Sequence, residues 1–119
     1  MSKDFKPRAK PVGTVKCHQV VQVNPYKTGM VERPAFTEGE DLVVAQPAEG
    51  GLLAIIHVPS GMSATGGLYF RSVKAAAAAI EELRIHADWR LPEAELMKVA
   101  MAKGLGGVVR DVCSRHGAE

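Results

Sequence analysis

Aromatic residues are scarce in this chain: one Trp, two Tyr and three Phe among 119 residues. A core must therefore rest on Val, Leu, Ile, Ala and Met. Cysteine is scarce too. Cys17 and Cys113 stand near opposite ends, which is too few for a disulfide framework. No apolar run approaches the roughly 18–20 residues of a membrane span. The first residues, MSKDFKPRAK, lack the apolar stretch of a signal peptide. The expectation is a cytoplasmic protein with both thiols reduced, away from membranes. No internal repeat is visible. No G-x-S-x-G, H-E-x-x-H or P-loop signature occurs, so the expectation is a non-catalytic protein without a cofactor. The net charge of +2 is too small to announce a nucleic-acid binder.

What is present is ordinary for a folded domain: 46% apolar and 24% charged residues. The length suits one core without disulfide staples. Lys3, Lys6, Arg8 and Lys10 crowd the first ten residues, with Pro7 among them and Pro11 directly after. Residues 1–13 therefore read as a flexible basic arm, and 14–119 as a single α+β domain. The arm is either a solubilising tail or a phosphate-touching element.

Residues 14–23 (TVKCHQVVQV) are mostly alternating and rich in β-branched residues, which predicts an amphipathic strand. Asn24–Gly29 carries strong turn chemistry. Met30–Phe36 contains Pro34 and reads as an edge strand or an extended connection. The apolar runs Leu42–Gln46 and Leu52–Val58 flank a Gly-containing loop and predict a hairpin. A small-residue loop follows, and Leu68–Phe70 suits a short strand. Ser72 is placed to cap a helix that the AAAAA run makes unambiguous. Pro92 suits the first position of a second helix. Gly104, Gly106 and Gly107 break it before a last helix ending near Arg115. The sum is a small antiparallel sheet of about four strands followed by two to three C-terminal helices on one face. The expected core joins Val15, Val21, Leu42, Val44, Ile56, Ile80, Leu83, Leu96, Val99 and Val109.

Candidate chemistry is sparse. Cys17-His18 and Cys113-x-x-His116 suggest zinc only on paper, because neighbouring strand residues point to opposite faces. Metal is not expected. A Cys–His pair from Cys17 with His57 or His18 needs a tertiary coincidence. The loop from Ser60 to Gly67 is rich in Gly and hydroxyls, with Arg71 beside a helix N-terminus. An anion or a partner could sit among Ser60, Thr65, Gly66, Gly67, Arg71 and Ser72, or the segment is a plain connection. The strand Leu52–Val58 is apolar on both faces, and one face needs a cover beyond the helices. A second copy, a partner or curvature of the sheet itself could supply it. The expectation taken forward is a homodimer centred on Leu53 and Ile55, with His57 at the rim.

The stretch IIHVPSGMSATGGLYFRSVKAAAAAIEEL, residues 55–83, resembles small uncharacterised proteins of bacteriophages and plasmids. In those, a strand ending near His-x-Pro-Ser/Thr-Gly leads through a loop into an Ala-rich helix. The matching residues are His57, Pro59, Ser60, Gly61 and the helix from Ser72, about a quarter of the chain. The resemblance implies an accessory protein of a mobile element that binds and inhibits a host macromolecular complex, such as a defence or regulatory system. Two alternatives stay open. One is a small nucleic-acid-binding regulator using the basic arm with Arg71, Arg84 and Arg90. The other is a nucleotide or anion binder at the Ser60–Ser72 loop.

Overall fold

The computed structural model describes residues 6–19, 29–48 and 50–119. Among the described residues five strands precede three helices: β1 (Gly13–Gln19), β2 (Gly29–Ala35), β3 (Leu42–Ala45), β4 (Ala54–His57), β5 (Met62–Ser63), α1 (Val73–His86), α2 (Glu93–Lys103) and α3 (Leu105–Arg115). The strands form one antiparallel meander in chain order, and the fold is α+β. The fifth strand is only the two residues Met62 and Ser63. Leu53 and Phe70 add an isolated bridge in place of a strand at 68–70.

The strands at the centre, LVVA and AIIH, are buried on both faces, as their unbroken apolar runs require. Cross-strand partners share a face, so the register sorts them. Val44 pairs with Ile55, and Val43 with Ile56. Leu42, Val44, Leu53, Ile55 and Phe70 face the helices, where Ile80, Leu83 and Val109 meet them. Val43, Ala45, Ala54 and Ile56 face the other way, against Val15, Cys17 and Ala35. Ile56 is thus buried in the second cluster, not beside Ile80 as the sequence suggested. Val99 is only half-buried, and Val21 and Lys3 lie outside the described residues.

The second face is covered by curvature of the sheet itself. β1 and β2 curl over it until β1 returns to the β4–β5 turn, where the His18 N–H donates to the Gly61 carbonyl at 2.9 Å. Gly61 permits this approach. Its φ is +72°, and a Cβ there would stand 3.0 Å from the Lys16 carbonyl oxygen. Leu53 and Ile55 are 0% exposed within one chain. The expected dimer interface at these residues is therefore corrected: the face assigned outward is the one the helices cover. His57, expected at an interface rim, is also buried.

Pro34 sits inside the sheet order, yet β2 pairs with β3 only at Ala35 and Ala45. The Gln46 N–H donates to the Pro34 carbonyl. Pro34 has no N–H to return, and the Gln46 carbonyl is met instead by Arg33 Nε at 3.0 Å.

In the helical layer, Ser72 accepts the Ala75 N–H and caps α1. Pro92 is the N-cap residue of α2, one position before the helix. Gly104, in the left-handed region at φ 63°, ends α2 and begins α3. Trp89 folds beneath, its Nε1–H donating to the Leu83 carbonyl at 2.8 Å. The chain end is tied down by paired backbone bonds between Tyr69 and Glu119.

A bidentate pair joins sheet to helix: Arg84 Nε and Nη2 each donate to Asp41 at 2.9 Å. The Arg84 guanidinium holds the Asp41 carboxyl below its ordinary 3.8. Arg115, then His116, lower Glu82 in the same way across α1 and α3. A carboxyl depressed in the folded state adds stability that is complete above its unfolded value and is lost as pH falls through the folded one. Denaturant melts should therefore show stability declining below about pH 5. Asp41→Asn should cost about 1 kcal/mol at pH 7 and flatten the acid decline. An unchanged acid limb in the variant would mean that this pair carries no linkage.

Candidate functional site

His57 ends β4, and the turn after it brings Ser60 back over the imidazole. Nδ1 lies 2.7 Å from Ser60 Oγ, and Nε2 lies 3.0 Å from the Leu91 carbonyl oxygen. A carbonyl only accepts, so Nε2 carries a hydrogen; in the neutral ring Nδ1 then receives the Ser60 hydroxyl. Ser60 Oγ in turn accepts the Met62 N–H at 3.2 Å. A hydroxyl hydrogen-bonded to an oriented imidazole has the outline of an activated nucleophile. Here the orienting group is a neutral carbonyl, which fixes the ring but brings no negative charge to support an imidazolium. What the pair does structurally is plain: it staples the β4–β5 turn to the segment leading into α2.

The loop beyond β5 is stitched in the same manner. Thr65 Oγ1 donates to the Leu68 carbonyl at 2.9 Å, and Ser63 Oγ accepts the Thr65 N–H. The Ala64 N–H donates to the Ile55 carbonyl. The hydroxyls that suggested an anion site from sequence are thus engaged within the loop.

This stitched loop forms one wall of a cleft of about 570 Å³. Its floor is Trp89 with His57. Leu96 and Met97 come from α2, and Leu105, Gly106 and Val109 from α3. The volume is that of a ligand site, and the lining is predominantly apolar, with few polar groups. Met62 and Met97 stand half-exposed at its mouth. Glu93 and Arg110 are the charged residues at its edge, and neither makes an ion pair among the described residues.

The residues singled out from sequence divide between places. Ser60, Thr65, Gly66, Gly67 and His57 line the cleft. Arg71 lies outside it, in an ion pair with Glu119 at 3.7 Å, and Ser72 is engaged as a helix cap. Arg84 and Arg90 are held by Asp41 and Asp88. Lys6, Arg8 and Lys10 are exposed, and the ladder begins just after them, where the Val12 N–H donates to the Ala35 carbonyl. Cys17 and Cys113 lie in separate core clusters. Burial raises both thiols, Cys113 to about 11. Among the described residues no three metal-ligating side chains gather, and no helix is long and apolar enough to cross a membrane.

The helical side of the cleft went unrecognised in the sequence. Its one available signal was Gly106 and Gly107 inside a helix, each costing about 1 kcal/mol against Ala. A Cβ at either position meets nothing within 4 Å, so packing within the chain does not demand glycine there. Comparison with protein-family models, curated proteins and solved structures finds no match for the chain.

Proposed function

We propose that this is a non-catalytic binding protein whose recognition site is the cleft between the β5 loop and helices α2 and α3, and that the cleft receives an apolar segment of a protein partner. The observation that carries the reading is the cleft itself: about 570 Å³, predominantly apolar, on a chain of this size. The methionines at its mouth support a peptide occupant, because flexible thioether side chains adapt to irregular apolar surfaces. The partner class we propose is a host macromolecular complex, on the strength of the resemblance of residues 55–83 to mobile-element proteins.

Gly106 supplies a clean test. Gly106→Phe adds a ring on the cleft wall where a Cβ meets no atom within 4 Å, and it raises helix propensity at that position. The variant should therefore melt no lower than the parent. Immobilised on a resin and exposed to bacterial lysate, it should fail to retain a protein that the parent retains. Equal retention by both chains would exclude the cleft as the recognition site, and no retention by the parent would count against the whole reading.

A further inference from the structure

We infer that α2 also mediates self-association, packing antiparallel against α2 of a second copy across a two-fold axis. This does not rest on the reading of the cleft, with which the contact shares Met97 alone.

Of the three helices, α2 is the least supported by its own chain. It buries Leu96 alone, whereas α1 and α3 bury four residues each. A helix of 11 residues is marginal in water without an apolar face packed on something. The outer surface of α2 is nonetheless not polar. Ala94, Met97 and Met101 follow one another at i, i+3 and i+7 on an exposed stripe, and Met101 is 83% exposed. Wet apolar stripes of this kind mark contacts.

The charges on α2 say which contact. Glu93 and Glu95 occupy its first turn, Lys98 its midpoint and Lys103 its last turn. A helix acidic at its start and basic at its end is complementary to an antiparallel copy of itself, and the opposed dipoles favour the same arrangement. With the two-fold axis between Leu96 and Met97, Glu95 stands level with Lys98 of the second copy, and Lys98 with its Glu95. Neither residue has an ion-pair partner among the described residues.

Sedimentation equilibrium of the full chain at micromolar concentration should give the mass of two chains. Met101→Glu, at a position too exposed to affect the fold of one chain, should raise the dissociation constant about 100-fold or more, because both copies lose the contact. Glu95→Lys and Lys98→Glu should each weaken the dimer by up to about tenfold, and the two together in one chain should restore it. A parent that sediments as one chain throughout overturns the proposal. So does a dimer indifferent to Met101→Glu, and failure of the double variant to recover overturns the antiparallel register.

Discussion

Leu53→Asp should unfold the protein. Leu53 is 0% exposed and packs between the sheet and the helices. The substitution removes a buried Leu and leaves a carboxylate with no cation near it, in a cluster whose other members are apolar. An isolated charge in such a place costs several kcal/mol, or the group is forced neutral at a similar cost. The expected loss is at least about 4 kcal/mol, against a typical total stability of about 5–15 kcal/mol. Circular dichroism should show little or no cooperative transition. The control is Ile85→Asp: Ile85 is 79% exposed, and the change should stay within about 0.5 kcal/mol. A folded, monomeric Leu53→Asp protein would mean that this residue lies on a surface between copies, and that the helices cover the other face of the sheet.

Leu83→Ala should cost about 2–5 kcal/mol in a denaturant melt. Leu83 is also 0% exposed, on the face of α1 that carries Ala76, Ala79 and Ile80. The range reflects how far the site can collapse around the lost methyl groups. Collapse is restricted here, because the backbone carbonyl of Leu83 is held by Trp89 and the next residue of α1, Arg84, is paired with Asp41 just before β3. The upper half of the range is therefore expected. A loss below about 0.5 kcal/mol, the level of a surface substitution, would place α1 in solvent.

The two variants touch the point at which the sequence was both informative and misleading. The helix from Ser72, the β3–β4 hairpin and the glycine break at residue 104 all follow from local chemistry: a cap, two apolar runs and a residue free to take positive φ. That the strand Leu52–Val58 is apolar on both faces was equally legible. Which face the helices take was not, because Leu53, Ile55 and Leu52, Ala54, Ile56 are similar sets in hydrophobicity. The choice is made by long-range closure, in which β1 returns to Gly61 and supplies Val15 and Cys17 to the far face. No local period encodes that return. Pro34 misled for a related reason. Its missing N–H is harmless inside a sheet when the opposing carbonyl finds Arg33 instead.

The cleft was half legible. The loop wall stood out through its glycines and hydroxyls, but its hydroxyls bind the loop to itself and Arg71, the arginine nearest in sequence, pairs with Glu119 outside the cleft. The other wall is built from Leu96, Leu105 and Val109, which read in the sequence as helix stripe facing a core and do belong to that core. A stripe residue that fills a core and also borders a cavity carries the same signature in sequence as one that only fills a core. Only the packing of α2 and α3 beside the stitched loop separates them.

The cleft as recognition site is tested most directly by the methionine methyl groups. In protein labelled with carbon-13 at the methionine methyls, Met62 reports from the loop wall of the cleft, apart from the α2 stripe through which two copies are proposed to meet. Met30 reports from β2, where its thioether lies beside Gly61 and outside the cleft. Titration with the partner retained by the parent chain should shift the Met62 signal and leave Met30 in place. A Met30 signal that moves while Met62 stays fixed would contradict the account, because binding would then lie on the curled β1–β2 side of the sheet.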